Sequence, residues 1–305
     1  MRFADYMADI ATEGKPRSFR DPAAAEKGMQ EFSAYYGSIG ASRATLDSIY
    51  RLPVQARRNA TALREDSPLI VFALGLNESP AQHTALAEFL AAHGYLVAAI
   101  PTMGAQTREL NFSVDAVQTH FADLDYVARY VREQKLSTFR NVGVVGYSFG
   151  SGAAVLLGAA RAEVTAAASL DGSIGFADRL SVYEAVPGFK PSQLCTPLLH
   201  VNVAQSPRNE LRVVSSSVCG DRYIASFSDG NHLDFSTLGL LAGRFPSLRT
   251  ADWAFENSKQ PEQVFEAAAR LLLAFFDAHL RGRREAWTPP PSNALYTLTA
   301  SERGR

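Results

Sequence analysis

The stretch from residue 142 to residue 154 reads Val-Gly-Val-Val-Gly-Tyr-Ser-Phe-Gly-Ser-Gly-Ala-Ala, a β-branched run that leads into Gly-x-Ser-x-Gly and then into small helix-forming residues. This order predicts a strand, a sharp turn and a helix. Such a turn strains the backbone of the serine at its tip, Ser148, and exposes the hydroxyl at a helix N-terminus. Gly146 and Gly150 are required because a Cβ at either position would collide where strand and helix cross closely. The stretch therefore favours a serine nucleophile over the alternative, a glycine-rich turn that carries an ordinary serine.

Apolar runs of strand length recur from residue 68 onward and alternate with helical patterns. The predicted strands are 68–74, 95–100, 142–145, 164–170, 197–203 and 222–227. Ser79 and Pro80 begin the first intervening helix, Ser113 begins the second, and 261–279 is a final helix with one apolar stripe. Continuous apolar strands bounded by helices are typical of an α/β fold, in which a mostly parallel sheet is covered by helices on both faces.

The chain divides into three parts. Residues 1–66 contain charged and alanine-rich stretches broken by prolines and show no period-two alternation, which predicts a helical or irregular extension packed on the core. Residues 67–283 form the predicted catalytic domain. Residues 284–305 are charged and proline-containing, and we expect a loosely held tail there.

Composition limits the class of partner and the compartment. Of the 305 residues 47% are hydrophobic, and 30 Lys and Arg against 31 Asp and Glu give a net charge of −1. This balance gives no basis for a polyanionic partner, so we expect no nucleic-acid binding. Residues 1–10 carry acids where a signal peptide needs an unbroken apolar core, and no later run reaches membrane-spanning length. We therefore expect no transmembrane segment and a cytoplasmic protein as given, or a secreted or periplasmic one if the natural N-terminus is missing; the oligomeric state stays open.

The chain has two cysteines, Cys195 and Cys219, too few for a disulfide scaffold or a cysteine-based metal cage. Each precedes a predicted strand, so both could lie at the same end of neighbouring strands and pair. Two unpaired buried thiols are the favoured interpretation.

A serine nucleophile needs an imidazole to take its proton, and the imidazole needs a carboxylate to orient it and to stabilise its charge. In open parallel sheets, ligands bind at the carboxyl ends of the strands. His232 lies in a Gly-Asn-rich loop after the strand 222–227, where it completes the chain order nucleophile, acid, base. His83 could border the pocket but would break that order. The histidines within helices or strands are interpreted as structural: His93, His120, His200 and His279.

The candidate acid is Asp171, which directly follows the strand 164–170. Its alternative interpretation is a residue that merely caps the turn before Gly172. Asp229 and Asp234 flank His232 closely, but side chains so near on a tight loop seldom point back at the same imidazole, and they are interpreted as turn formers or solvated charges.

A tetrahedral intermediate also needs two N–H donors for its oxyanion. One predicted donor is the backbone N–H of Phe149, the residue after the nucleophile. The other is expected in the loop after the first strand, where Gly75 allows a tight turn toward Ser148 and makes Leu76 the candidate.

Together these residues resemble the platelet-activating-factor acetylhydrolase-like branch of the α/β-hydrolases and the related dienelactone-hydrolase-like proteins. The resemblance spans about residues 67–280. It is carried by five motifs: 69–72 with Gly75 and Leu76, 92–99, 146–150, 169–172 and 231–235.

The resemblance implies an α/β-hydrolase fold, and it places the acid after the strand that follows the nucleophile helix, which matches Asp171 (171 − 148 = 23 residues on). It likewise implies Leu76 and Phe149 as oxyanion donors. Dienelactone hydrolases proper use a cysteine nucleophile, so their substrate is not carried over to a chain with Ser148. Relatives open with several antiparallel strands, and residues 1–66 contain no convincing counterpart, which indicates a missing or reduced N-terminal part of the sheet.

These predictions combine into a serine esterase for short to medium acyl groups that uses no metal and no organic cofactor and acts on a small-molecule ester. The segments 174–193 and 233–260 leave the sheet beside Asp171 and His232 and carry large apolar residues. They either cap an acyl pocket, with Phe176, Phe235 and Leu238 as lining residues, or pack in the core. The alternative functions are amide or peptide hydrolysis by the same triad and a catalytically silent hydrolase fold used for binding.

Overall fold

The computed structural model describes residues 1–12, 22–38, 40–61, 66–104, 109–216, 219–249, 258–282 and 290–301. In these residues the strands are β1 (Leu69–Ala73), β2 (Leu96–Ala99), β3 (Val142–Tyr147), β4 (Val164–Leu170), β5 (Leu198–Val203), β6 (Arg222–Phe227) and β7 (Tyr296–Ser301). They form one sheet in the order β2-β1-β3-β4-β5-β6-β7. All pairs from β2 to β6 are parallel, and β7 joins β6 antiparallel. The predicted sheet is therefore confirmed, with one more strand than the sequence indicated.

The α-helices of the described residues are α1 (Phe3–Thr12), α2 (Pro22–Ser38), α3 (Arg43–Tyr50), α4 (Thr84–Ala92), α5 (Val114–Glu133), α6 (Gly150–Ala160), α7 (Leu180–Glu184), α8 (Arg212–Ser215), α9 (Thr237–Arg244) and α10 (Pro261–Leu280). Side chains of α4 and α10 pack on one face of the sheet, and side chains of α5 and α6 pack on the other. Helices thus cover both faces, as the apolar strands require. None of the helices in the described residues is long and apolar enough to cross a membrane.

The described residues before β1 form α1, α2 and α3, which share a third apolar cluster with α9. Phe3, Met7 and Tyr36 are buried there against Leu238 and Leu241. In the described part of this region, the β pairing is limited to an isolated bridge between Arg2 and Pro53. The helices α1 and α2 therefore lie against the same side of the molecule as the helix that follows His232.

The expectation of a loosely held C-terminal tail is wrong for residues 296–301. This segment reads Tyr-Thr-Leu-Thr-Ala-Ser, so apolar and polar residues alternate with the period of a half-buried strand. Tyr296 is buried and contacts Phe227, and Leu298 packs against the same core. The alternation is short and lies in a charged segment, and the pairing with β6 covers what would otherwise be an exposed sheet edge.

The favoured interpretation of two unpaired buried thiols is also wrong, because Cys195 and Cys219 form a disulfide and both are exposed. Their Cα atoms lie 4.8 Å apart. Leu198 and Arg222 are in register at the start of β5 and β6, and each cysteine precedes its strand by the same distance (198 − 195 = 222 − 219 = 3). Parallel pairing therefore carries the two thiols to the same position beside the sheet.

Candidate active site

Ser148 stands at the sharp turn between β3 and α6, with a positive φ of 50°. Its backbone N–H donates to the Leu170 carbonyl at 3.1 Å. Its own carbonyl accepts from the Ser173 N–H at 2.9 Å and from the Ser151 hydroxyl at 2.7 Å. A non-glycine residue in this region of φ is strained, and these hydrogen bonds hold it there.

Two glycines allow the turn. A Cβ on Gly146 would lie 2.5 Å from the Cα of Ser151, and a Cβ on Gly150 would lie 2.2 Å from the Ala73 carbonyl oxygen. Both distances are far below van der Waals contact. The close crossing of strand and helix that the sequence predicts is therefore present.

His232 begins a 3₁₀ turn, His232–Phe235, after β6. Its Nε2 lies 3.0 Å from the Ser148 Oγ, and its Nδ1 lies 2.6 Å from an Asp171 carboxylate oxygen. The imidazole side chain is 24% exposed. The structure thus brings the three sequence-predicted side chains into one hydrogen-bonded chain, in which an imidazole can pass a proton between the serine and a substrate.

Asp171 is buried and follows β4 directly, with a positive φ of 40°. Its backbone N–H donates to the Val201 carbonyl at 2.6 Å, and its second carboxylate oxygen accepts from the Val203 N–H at 3.2 Å. The neighbouring strand β5 therefore fixes this carboxylate, which leaves one oxygen to face His232.

The loop that carries His232 depends on Asp234, a residue the sequence left as a turn former or a solvated charge. Asp234 is fully buried, so the solvated interpretation is wrong, and its carboxylate accepts from the Asn231 N–H at 2.9 Å and from the Ser258 hydroxyl at 2.6 Å. Burial raises the pKa of Asp234 to about 6. Asp229, by contrast, is only half-buried, and it pairs with Lys259 at 3.2 Å.

The two predicted oxyanion donors, Leu76 and Phe149, lie at the start of the loop after β1 and at the N-terminal end of α6. Among the described residues, neither backbone N–H donates to a protein acceptor. Asn77, which has a positive φ of 59°, connects this loop to Leu110. Its side-chain oxygen accepts from the Leu110 N–H at 2.6 Å, and its side-chain amide donates to the Leu110 carbonyl at 3.0 Å. Backbone N–H groups without a protein acceptor can bind an anionic oxygen.

A second carboxylate–imidazole pair, Glu78 and His83, supports the same loop and was not assigned from the sequence. One Glu78 carboxylate oxygen accepts from the Gly75 N–H at 2.7 Å and lies 2.8 Å from the His83 Nε2. The two residues are five apart in a loop, a spacing that predicts no contact by itself. The structure places this pair beside the loop that carries the predicted donor Leu76.

Tyr147 lies between the two pairs. Its ring centroid is 4.6 Å from that of His83 and 4.9 Å from that of His232, against which it stacks. Its hydroxyl donates to the His232 carbonyl at 3.1 Å. Burial raises the pKa of Tyr147 well above its ordinary value, which keeps the hydroxyl protonated as a donor.

The histidines interpreted as structural make no contact with the triad. Burial lowers the pKa of His120 and of His200 to about 4 in each case, so both imidazoles are neutral at neutral pH. The His120 ring stacks on Phe149, and the His200 Nδ1 lies 3.0 Å from the Ser169 Oγ. His93 is exposed at the end of α4, and His279 is buried in α10.

Two cavities lie near the loop that carries His232. The N-terminal cavity, about 280 Å³, has walls from α1, α2 and α9 and an edge formed by Leu76 and Leu233. The polar cleft, about 550 Å³, is bordered by Asp171, His232, Phe176, Arg208 and Lys259. The polar cleft is thus lined by two of the three triad candidates, Asp171 and His232, and the N-terminal cavity by Leu76 and Leu233.

The predicted pocket residues divide between these spaces and the core. Leu238 lines the N-terminal cavity and Phe176 lines the polar cleft, where the Arg208 guanidinium stacks on its ring at 4.2 Å. The prediction that Phe235 lines the pocket is wrong. The Phe235 ring packs in the core against Phe227, because the 3₁₀ turn directs this side chain away from His232. Trp253, which the sequence assigned to the capping segment, lies outside the described residues.

Comparison with known proteins identifies the fold. The solved structure of a ferulic acid esterase from Streptomyces cinnamoneus matches with a TM-score of 0.63 at 22% identity, over 88% of this chain and 83% of that one. An acylaminoacyl peptidase from Pyrococcus horikoshii matches with a TM-score of 0.49 at 16% identity, over 71% of this chain and 38% of the peptidase. No protein-family model and no curated protein sequence matches. The chain has the α/β-hydrolase fold, which the likeness to the esterase and the seven-stranded sheet show together.

Proposed function

We propose that this protein is a serine hydrolase that cleaves carboxylic esters through an acyl-enzyme. The observation that carries the proposal is the position of the His232 imidazole, with Nε2 at 3.0 Å from the Ser148 Oγ and Nδ1 at 2.6 Å from Asp171. An imidazole in this position serves as general base and then as general acid.

In the first half-reaction the Ser148 Oγ attacks the ester carbonyl carbon while the His232 Nε2 takes the hydroxyl proton. Asp171 holds the imidazole with Nδ1 protonated and stabilises the imidazolium that forms. The N–H groups of Leu76 and Phe149 stabilise the oxyanion of the tetrahedral intermediate. When this intermediate collapses, the bond to the alcohol oxygen breaks and His232 protonates the leaving alkoxide.

The second half-reaction repeats these steps with water. His232 takes a proton from the water that attacks the acyl carbon, and it returns this proton to the Ser148 oxygen as the acid leaves. No metal or organic cofactor enters either step. The free enzyme is regenerated with every proton accounted for.

The α/β-hydrolase fold and the position of the acid after β4 support this function. The same position supports our proposal that the chain belongs to the platelet-activating-factor acetylhydrolase-like branch. The disulfide between Cys195 and Cys219 supports a secreted or periplasmic location, because disulfides persist in oxidising compartments.

Hydrolysis of p-nitrophenyl acetate and butyrate by the wild-type protein and by Ser148→Ala tests the proposal. We expect turnover by the wild type and a loss of at least about 10⁴-fold in Ser148→Ala, whereas Ser192→Ala, an exposed serine, retains full activity. Turnover that survives Ser148→Ala overturns the proposal. Labelling of Ser148 by a fluorophosphonate without hydrolysis of any ester points instead to amide or peptide substrates, and failure of both reactions in folded protein points to a silent binding fold.

A further inference from the structure

The N-terminal cavity has a wall of apolar side chains from outside the sheet, and it also borders the polar residues Asn77, Glu78, Gln82, Ser236 and Thr237. Phe3 and Met7 come from α1, Phe32 and Tyr36 come from α2, and Leu238 and Leu241 come from α9. Four of these side chains thus belong to the helical extension that precedes β1. The extension contributes a wall of the cavity in addition to covering the core.

The cavity lies beside the predicted catalytic groups. One of its edge residues is Leu76, the predicted oxyanion donor, and another is Leu233, which directly follows His232. A carbonyl oxygen bound at Leu76 therefore places the group attached to that carbonyl at the mouth of the cavity.

The two halves of an ester have different requirements in a two-step reaction. The acyl group stays bound through both steps, whereas the alcohol leaves and water takes its place beside His232. The polar cleft is lined by charged side chains, among them Arg208, Lys259 and Asp229, and suits a leaving group that water replaces. The N-terminal cavity, with its wall of apolar side chains, suits the acyl group, which stays bound.

Size indicates the class of acyl group. An apolar cavity of about 150 Å³ binds benzene, and this one measures about 280 Å³. The space therefore accepts an acyl group of roughly six to ten carbon atoms, whether a saturated chain or a ring with a short linker.

We infer that α1 and α2 form the acyl pocket and that the protein prefers esters of apolar acids of this size to acetyl esters. The inference rests on the proposed ester hydrolysis. It assigns a specificity role to a region of the chain outside the catalytic sheet.

The test is kcat/KM for p-nitrophenyl esters from acetate to dodecanoate. For the wild type we expect a rise of up to about fourfold per buried methylene group until the cavity is full, and then a fall. Phe32→Ala in α2 and Leu241→Ala in α9 both enlarge the cavity, and each should move the best acyl length up by about two carbons, because the space left by a truncated side chain is open to the ligand.

Matched controls separate pocket size from stability. Phe89→Ala and Leu240→Ala remove the same groups at partly buried positions that pack on the main core instead of the cavity. Both controls should keep the wild-type length profile and the wild-type rate of acetate hydrolysis within about twofold. If Phe32→Ala does not fold, Leu241→Ala alone tests whether the cavity sets the preferred acyl length.

An unchanged profile in Leu241→Ala, or a shift that follows the length of the alcohol and not of the acid, overturns the inference. A separate readout distinguishes this failure from failure of esterase activity: calorimetric titration of Ser148→Ala with p-nitrophenyl octanoate. If the wild type cleaves no ester but this variant binds octanoate ester, and adding Leu241→Ala changes its affinity, then the cavity assignment stands and the esterase proposal fails. Absence of binding, with cleavage of acetate only, overturns the cavity assignment.

Discussion

Two carboxylate–imidazole pairs lie at the same edge of the sheet and differ in what their second ring nitrogen faces. In the pair of Asp171 and His232, the imidazole is 24% exposed and its other nitrogen lies 3.0 Å from the Ser148 Oγ. In the pair of Glu78 and His83, the imidazole is 1% exposed and its other nitrogen has no hydrogen-bond partner among the described residues. In the mechanism that we propose, the same two functional groups therefore serve proton transfer in one place and support a loop in the other.

The comparison teaches that a carboxylate beside a histidine does not identify a catalytic base. A catalytic base is identified by the access of its imidazole to a nucleophile and to solvent. His83 touches the rings of Phe72 and Tyr147, so a substrate cannot reach it, whereas His232 borders the polar cleft.

The largest expected effect comes from Asp171→Asn. The amide can still accept from the Val203 N–H, but its NH₂ group then donates to the His232 Nδ1 and fixes the tautomer that cannot take the serine proton. We expect kcat to fall about 10⁴-fold with little change in KM. Steady-state kinetics with a p-nitrophenyl ester measure this.

Asp229→Asn is the control for that measurement, since Asp229 is also close to His232 in sequence and pairs with Lys259 at the surface. It should retain activity within about twofold. A loss of less than tenfold in Asp171→Asn would mean that His232 works without this carboxylate and would remove the distinction between the two pairs.

The second effect concerns His120, whose imidazole has no carboxylate partner among the described residues. Burial lowers the pKa of His120 to about 4, whereas an unfolded histidine titrates near 6.5. Between these values the unfolded state binds more protons, so the free energy of unfolding falls as the pH is lowered from about 6.5 to 4, by about 3 kcal/mol in total. His120→Phe should lose this part of the acid sensitivity.

The free energy of unfolding in urea, measured at pH 7.5 and at pH 4 for the wild type and for His120→Phe, tests this prediction. The control is His93→Phe, at an exposed position, which should keep the full wild-type loss on acidification. Identical pH dependence in His120→Phe and the wild type would show that the imidazole of His120 is protonated in the native state.

The sequence predicted that the three candidate residues meet, because Ser148 and Asp171 directly follow strands and His232 lies in the loop after one, and parallel strands bring such residues to one edge. Ser148 and Asp171 also lie at sharp turns that neighbouring glycines indicate in the sequence. Gly146 and Gly150 flank Ser148, and Gly172 follows Asp171. The contact of Glu78 with His83 could not be predicted, since it depends on how a loop folds over Phe72 and Tyr147. Phe235 was misassigned for the same kind of reason: the direction of a side chain in a single 3₁₀ turn is set by packing and not by periodicity.

Glu78→Ala should have a smaller effect than loss of the catalytic carboxylate. The Gly75 N–H and His83 lose their acceptor, and the loop that carries Leu76 is then held by Asn77 and Leu110. Removing an oxyanion donor outright lowers kcat by about 10²- to 10³-fold, so displacement of one donor should lower it by about thirtyfold with KM within about twofold. The split between kcat and KM is the readout that distinguishes a positioning role from a stabilising one.

Glu133→Ala, an exposed glutamate near the end of α5, is the matched control and should be indistinguishable from the wild type. Were Glu78→Ala to lower thermal stability but leave kcat unchanged, the Glu78 and His83 pair would contribute to folding alone. Were kcat to fall as far as in Asp171→Asn, His83 would belong to the proton-transfer machinery after all.

The smallest expected effect is that of Tyr147→Phe, which acts on the residue between the two pairs. The ring that separates the imidazoles of His83 and His232 remains, and only the hydroxyl that donates to the His232 carbonyl is lost. Loss of one such hydrogen bond costs about 1 kcal/mol, which corresponds to about fivefold in kcat if all of it is felt as looser positioning of His232. Because the ring alone keeps the two histidines apart, combining Tyr147→Phe with Glu78→Ala should multiply the two losses in kcat. A combined loss well below that product would show that Tyr147 couples the loop that carries Leu76 to the catalytic base.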